Sequence, residues 1–520
     1  VWLALAVRFV EPRYHGEGDR AGSGSNGGPS WPPAPSRVFQ ALVAASGRGR
    51  ALSEAAHRLY KWFETVSPPV ICAPRIGDGK AARFVFHPPP NDLDKVGGDP
   101  RRQRDLKGDP KVVHPKLIGD DTPLFYLWYV AGDGEDGSAT LERARELEQQ
   151  AKLLYQLGRG IDFAWAELRT LSDDEAETLM SRYPGEVLRP VSGAAVPGSV
   201  ALTVPIEGSL ESLELRHRWR RVRYSYKKQR GRRGGLVVHY AKRPAPLFAA
   251  CDYDSGRQVF LYELQPAEGA GRWVTFPLEA ATDLTVTLRD LALARLSSAL
   301  PEAQRLVAQR YYIGRRKDGS NDCKAADRPR IVPVPSVGHE HVDHRIRRFL
   351  VIVPGSCPLS ADDVRWSFEG LEVTARDGRR AVTVLCEGTA YEDSMGRRLG
   401  LGRPARIWRT VTPAALPLWR QKWSRGGTQA AANATRAAVL TALRHAEVPA
   451  SVEELRVQRE PFHTKGIEAD SFETLPRFPG ARLWHVAFEL DKPVEGPIVI
   501  GDGRFMGLGI CQPVDGARPE

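Results

Sequence analysis

The segment GPIVIGDGRFMGLGIC, Gly496–Cys511, constrains this chain more than any other stretch. Gly501, Gly503, Gly507 and Gly509 stand within nine residues, behind a short β-branched run at Pro497–Ile500 that reads as a strand. Glycines at that density let a backbone take φ > 0 and come very close to another segment or to a ligand. Successive N–H groups in such a loop can form an anion-binding nest, and Arg504 in its middle adds a phosphate partner. No Gly-Lys-Ser/Thr follows, so the segment is neither a P-loop nor a dinucleotide fingerprint. A bare glycine hairpin is the structural alternative.

Charge supplies the second constraint. The 520 residues carry a net charge of +11, and the excess is concentrated in RHRWRRVRYSYKKQRGRR, which holds ten Lys/Arg between Arg216 and Arg233. Trp219, Tyr224 and Tyr226 stand among Arg216, Arg218, Arg220, Arg221, Arg223, Lys227, Lys228 and Arg230. Basic side chains neutralise phosphates, and aromatic rings stack on unpaired bases. The mixture, without a helical apolar face, favours a nucleic acid over a solvated loop or a membrane surface. No apolar run approaches the roughly 18–20 residues needed to span a membrane. Arg8 interrupts the opening VWLALAVRFV, which reads as a first strand, Trp2–Val10, rather than a signal segment. Six scattered cysteines form no C-x-x-C pair, which argues against a disulfide scaffold or a structural zinc site and points to the cytoplasm.

Along the chain, a Gly/Ser/Asn-rich stretch at 16–30 precedes SWPPAPSRVFQALVAAS, where Ser36 is placed to cap a helix, and a second helix spans Ser53–Thr65. Residues 88–120 read as a long loop, Leu124–Ala131 as a buried strand, Ser138–Leu157 as a helix and 180–275 as short strands. Leu284–Gln309 is helical with a break near Pro301. Ile346–Pro354 is a strand, Gln429–His445 a helix, and Val452–Glu460 and Arg482–Leu490 are strands. Strand–helix–strand–strand closing on a strand suggests a ferredoxin-like sheet with a helix on one face and the other face free. The N-terminal half reads as a second, decorated copy.

GHEHVDH, Gly338–His344, is the densest group of candidate catalytic residues. The H-x-H-x-D-H spacing fits a zinc site that activates water, but a strand follows it where such a motif opens a helix. The metal-free reading uses histidine to take the proton of a 2′-hydroxyl, which attacks the adjacent phosphate, while a second histidine or a Lys/Arg supports the leaving oxygen. An imidazole with a pKa near 6.5 suits both roles. His339 and His341 share one face if the stretch is extended. Structural histidines in a connecting loop are the plain alternative.

The segments SWPPAPSRVFQALVAA, RIVPVPSVGHEHVDHRIRRFLVIVPGSCPLSADDVRWSFEGLEV, REPFHTKG and IGDGRFMGLGIC together resemble the CRISPR-associated RAMP proteins of type I-G (I-U) systems, in which Cas-five-like and Cas-six-like modules are fused. The resemblance implies an α+β fold of tandem ferredoxin-like (RRM-like, RAMP) domains with insertions and a C-terminal glycine-rich loop. It implies residues 1–310 as a Cas-five-like domain holding the 5′ handle of crRNA, with a basic insertion at 210–243. Residues 311–520 would then be a Cas-six-like endoribonuclease that cuts repeat RNA in pre-crRNA without metal or cofactor. The implied partners are Cas-seven-like backbone and Cas-eight-like large subunits, with target DNA reached indirectly and no membrane. On this reading His341 is the general base and His339 the second acid/base, with His463 of REPFHTKG, beside Lys465, in reserve. Arg345, Arg347 or Arg504 stabilises the phosphorane, the four loop glycines lie at RNA phosphates, and the 216–233 segment tracks the RNA backbone. An inert RNA-holding scaffold and a zinc nuclease using HEHVDH are the alternatives.

Overall fold

The computed structural model describes residues 1–16, 31–48, 51–76, 84–86, 102, 111–113, 115–119, 121–131, 138–158, 160–222, 224–228, 236–240, 244–268, 271, 273–315, 320–337, 343–417, 428–476 and 478–514. The chain divides into two compact units, Val1–Pro190 with Ala201–Tyr253, and Val191–Val200 with Asp254–Glu520. The expected boundary was 310/311. The strand Gln258–Pro266 draws residues after 253 into the second unit, because its residues Gln258–Glu263 pair with Arg348–Val353.

In the first unit the alternating apolar opening forms β1 (Trp2–Phe9). Helices α1 (Pro35–Gly47) and α2 (Glu54–Phe63) lead to β2 (Val70–Ala73) and β3 (Leu124–Tyr129); α3 (Ser138–Ala151) then leads to β4 (Ala164–Leu171). Ser53 caps α2 as expected, accepting from Ala56 N at 3.2 Å. Ser36 does not cap α1. Pro35 presets φ for the first helical turn, Ala34 is the cap residue, and the Ser36 hydroxyl lies 2.6 Å from Thr203 Oγ1.

The strands run β2-β3-β1-β4, each neighbouring pair antiparallel. One face is closed by the rings of Phe39, Phe63 and Trp128, with Phe63 and Trp128 centroids 5.0 Å apart. Helix α4 (Asp173–Arg182) puts Ala176 and Met180 over Ala4, Cys72 and Leu127 on the other face, which the sequence left free. Strand β5 (Glu186–Pro190), β6 (Val200–Val204), helix α5 (Ser209–Val222), the hairpin β7 (Tyr224–Lys228) and β8 (Leu236–Tyr240), and β9 (Ala249–Asp254) complete this part. The sheet extends past β2 in the order β5, β9, β6.

The second unit contains two sheets. The first is built from β10 (Gln258–Pro266), α6 (Ala281–Ala299), α7 (Glu302–Ile313), β11 (Arg330–Pro335), β12 (Arg345–Val353), α8 (Ala361–Phe368), β13 (Glu372–Thr374) and β14 (Arg380–Leu385). Its order is β11-β12-β10-β14-β13, antiparallel throughout. The continuous apolar run FLVIV is the buried end of β12, as a central strand covered on both faces requires.

The second sheet takes β15 (Ala405–Thr410), α9 (Thr428–His445), β16 (Val452–Gln458), β17 (Leu483–Val494) and β18 (Cys511–Pro513) in the order β16-β17-β15-β18. One path therefore recurs three times: two outer strands enclose a strand antiparallel to both, and a fourth strand pairs with the first. The first two copies cross to their last strand through a helix. The third crosses through the glycine segment.

Pro497–Ile500 is not a strand. Pro497 has no N–H to donate, and the run makes a single bridge, Val499 to Ile510; the closing strand is Cys511–Pro513, paired with Trp408–Thr410. Two loop glycines show why the residue is needed. At Gly507 (φ +73°) a Cβ would stand 2.7 Å from Thr285 Oγ1 and 2.8 Å from the Ala281 carbonyl, both on α6. At Gly509 (φ +73°) it would stand 1.9 Å from the Ile500 carbonyl.

Gly507→Ala combines a left-handed backbone with a contact against helix backbone, and is expected to cost about 2–4 kcal/mol. A urea titration should show the lowered midpoint without any RNA present. An unchanged midpoint would mean that the close packing on α6 is dispensable.

Candidate functional site

The histidine segment and the REPFHTKG loop lie 121 residues apart at their point of contact, yet the fold brings them together. Just before β12, His344 takes φ +54° and its carbonyl accepts from Leu278 N at 2.9 Å. Its Nε2–H donates to the Lys465 carbonyl. His339 and His341 lie outside the described residues, so the structure fixes only the end of their segment, which adjoins the His463 loop.

His463 is half-buried, and its Nε2 is buried with no hydrogen-bond partner. Burial pushes its pKa below the ordinary histidine value and the Arg409 charge pushes it further, against an opposing hydrogen bond to the Arg409 backbone. The imidazole is therefore neutral at neutral pH and can accept a proton. Arg409, on β15, donates to the Phe462 carbonyl at 3.4 Å and holds the loop from the sheet side. His485, on β17, holds it from below: its ring is fully buried, Nε2–H donates to the Ile467 carbonyl at 2.9 Å, and Nδ1 lies 3.3 Å from Thr410 Oγ1. Burial pulls the His485 pKa down to about 4.

Of the candidate charge stabilisers, Arg347 is engaged. It forks onto Asp343, with Nη1 to Oδ1 at 3.0 Å, and this bond holds the Asp343 carboxyl down to about 2. Arg345 opens β12 and is exposed.

Arg504 is not an exposed loop residue. It is 8% exposed, donates Nη1–H to the Gly501 carbonyl at 3.1 Å, and lies 5.0 Å from the centre of the Phe505 ring. Gly501, Gly503, Gly507 and Gly509 are all buried. Their close packing accounts for the glycines without any ligand.

Two arginines that the sequence reading passed over share the Phe505 ring. Arg328 lies 3.9 Å from its centre and Arg330 lies 5.8 Å away. Arg328 closes the end of α7, donating to the carbonyls of Tyr311, Tyr312 and Ile313 at 3.1, 2.7 and 3.0 Å. The available signal was RPRIVPVP, in which charged residues run directly into a strand that is otherwise apolar.

The basic segment is divided between two elements. Arg216, Arg218, Arg220 and Arg221 belong to helix α5, where the sequence suggested short strands. Arg216 Nη1 donates to the Pro244 carbonyl at 2.6 Å, and Arg218 is exposed. Tyr224, Tyr226, Lys227 and Lys228 form β7, in register with Tyr240, Val238, Val237 and Leu236 of β8. Arg223 and Arg230 lie outside the described residues.

Among the described residues no group of three His, Cys, Asp or Glu side chains is placed to hold a metal ion, and no helix is long and apolar enough to cross a membrane.

The buried neutral His485 makes the second unit acid-sensitive. Its folded pKa lies below the unfolded value near 6.5, so its contribution is complete above that value. It is lost progressively as pH falls toward about 4. The loss is expected to be on the order of 3 kcal/mol. Melting temperatures at pH 7, 5.5 and 4.5 should decline steeply in the natural chain, and less steeply in His485→Asn, which starts lower at pH 7.

Residues 18–227 match the model of the CRISPR-associated protein GSU0054 family, a span of less than half the chain. No curated protein matches. A crystal structure of a CRISPR protein from Archaeoglobus fulgidus aligns at 9% identity over 50% of this chain and 94% of that one. Its TM-score of 0.19 is too low to carry an argument about fold. The family match is what supports a CRISPR-associated protein with a role in CRISPR defence.

Proposed function

We propose that this chain is a crRNA-binding subunit of a CRISPR complex and a metal-independent endoribonuclease that cuts repeat RNA in pre-crRNA. The observation that carries the reading is the contact of His344 with Lys465, which sets the histidine segment against the loop of His463. The antiparallel four-strand path, repeated three times, supports reading the sheets as ferredoxin-like RAMP domains. The family match supports the CRISPR context; Cas-seven-like and Cas-eight-like partners, target DNA reached through the guide and a cytoplasmic setting are part of the proposal.

His463 is the base that this geometry favours. Its ring is held neutral, and its Nε2, buried and unpartnered, would take the 2′-hydroxyl proton once the loop moves aside to admit RNA. The 2′-oxygen then bonds to the adjacent phosphorus as the bond to the 5′-oxygen breaks. The leaving oxygen takes a proton from His339, His341 or Lys465, and the products are a 2′,3′-cyclic phosphate and a 5′-hydroxyl. Arg345 is the exposed cation at this end of β12, whereas Arg347 must first leave Asp343. The basic helix and hairpin follow the RNA backbone through Arg218, Arg220, Arg221 and Lys227, with Tyr224 and Tyr226 against bases.

The purified chain, incubated with its cognate repeat RNA in excess EDTA, should make one cut that leaves a 2′,3′-cyclic phosphate. His463→Ala should slow cutting by about 10²–10⁴-fold while RNA binding persists, and His341→Ala tests the partner role in the same assay. RNA bound but uncut, with or without metal, would leave a scaffold. Cutting that requires added zinc would instead assign the reaction to HEHVDH.

A further inference from the structure

We propose that residues 461–466 form a lid that closes over His463, and that the bond from His344 Nε2–H to the Lys465 carbonyl is the latch that keeps it shut. The inference deepens the RNA-cutting reading above and rests on it for what enters when the lid lifts. The latch itself does not depend on RNA.

The segment has a fixed neck and a lightly held tip. At the neck, Ala469 N donates to the Arg459 carbonyl at 3.1 Å, and His485 Nε2–H donates to the Ile467 carbonyl at 2.9 Å. The Arg459 guanidinium donates to the Gly480 carbonyl at 2.9 Å and pairs with Asp470. The tip is a tight turn in which Gly466 N donates to the His463 carbonyl at 2.9 Å. A Cβ at Gly466 would stand 2.4 Å from Pro461 Cβ, so the turn folds back on its own entry. Among the described residues, two from elsewhere in the unit hold the tip by hydrogen bonds. Arg409 does so through a long bond to the Phe462 carbonyl, 3.4 Å, and a backbone bond to the His463 ring, and His344 does so through Lys465.

The closed position is costly. Lys465 occupies the third place of the turn at φ +55°, a conformation that suits glycine or asparagine, and His344 meets it at φ +54°. In and beside the lid, three nitrogens are buried without a hydrogen-bond partner: His463 Nε2, Arg409 Nε and the Nε2 of Gln512, which stands opposite Arg409 on β18. Buried polar groups that pair with nothing forfeit the water they would otherwise bind. Lifting the tip returns the His463 ring to water. The post of the latch, by contrast, is firm. The His344 carbonyl accepts from Leu278 N at 2.9 Å, and Ser336 N donates to the Arg345 carbonyl at 3.2 Å. The post therefore stands on the first sheet of the unit, whereas the lid joins two strands of the second. The bond between them lies at the surface, where water can replace it at the moment of release.

His344→Ala in the full-length chain tests the latch without RNA. Diethyl pyrocarbonate, which modifies accessible neutral imidazoles, should label His463 about tenfold faster in the variant than in the natural chain, the share of one net hydrogen bond. His485 is the internal control: it is fully buried at the neck and should stay unlabelled in both. His344→Gln keeps a side-chain N–H and should keep His463 protected. Repeat RNA should bind His344→Ala more tightly by the same factor as the labelling rises, because a larger fraction of the chain is open to it. His463 labelled equally fast in the natural chain and in His344→Ala would overturn the latch and leave the RNA reading standing. So would a His344→Gln variant that labels as fast as His344→Ala. Faster labelling with unchanged RNA affinity would keep the latch and remove RNA as what it admits. If His485 labels as well, the variant has loosened as a whole, and amide hydrogen exchange in the natural chain decides. Gly466 N–H exchanging faster than Ala469 N–H would support the lid; equal rates would mean that the tip opens only with its neck, and would overturn it.

Discussion

The approach of the Gly501–Gly509 backbone to helix α6 and to Ala414–Ala415 governs the second unit. Asp502 N donates to the Ala415 carbonyl at 3.0 Å and Gly509 N to the Pro413 carbonyl at 3.0 Å, so the loop is held by main-chain bonds as well as by packing. Val499, Leu508 and Ile510 then enter the same core as Leu284, Leu288 and Phe349, while Ile498, Ile500 and Cys511 enter a second core with Val439 and Phe488, so this stretch joins the two apolar interiors of the unit. A helix in this place, as in the other two copies, would set its axis 8–10 Å from α6. A glycine loop lies far closer. The substitution of loop for helix is what lets Arg504 and Phe505 reach the arginines at the start of β11.

Much of the fold was legible because its strands carry strong periodic signals. The alternation in Trp2–Phe9, the unbroken FLVIV and the alanine-rich Thr428–His445 each have one reasonable reading. What the sequence hid was the number of copies. The strand Gln258–Pro266, QVFLYELQP, sits among turn residues and looks like one more short strand; only its pairing with β12 and β14 reveals it as the first strand of a new sheet. Pairing is non-local, and nothing within nine residues encodes it. The covering of the first sheet by α4 was hidden for a similar reason, since Ala176 and Met180 make a narrow apolar stripe on a helix that is otherwise acidic.

The site was legible in its residue types but not in their environments. GHEHVDH and REPFHTKG could each be picked out by composition, and their contact runs through a backbone carbonyl, which no side-chain motif records. The glycine loop was noticed for the right chemistry, a backbone able to come very close to something. At Gly507 it comes close to helix α6, and the sequence cannot separate that use from the approach of a ligand, because both demand the same missing Cβ. Arg328 and Arg330 went unnoticed because two arginines before a strand ordinarily face water.

Burial changes what each positive charge in this chain can do. Exposed cations such as Arg218, on helix α5, act through a field that salt screens within about 8–10 Å, which suits following a flexible backbone without regard to its sequence. The arginines around Phe505 are largely removed from that screening, and each has a direction fixed by carbonyls or by the ring. Such a group gains little from a distant phosphate and much from one in contact, because its donors are already oriented and desolvated. The same reasoning separates His463 from His485. Both rings are neutral, but His485 spends its Nε2–H on the Ile467 carbonyl, whereas the Nε2 of His463 has no partner. His485, through the Ile467 carbonyl, thereby fixes the loop that carries His463, as Arg328, through three carbonyls, fixes the end of α7.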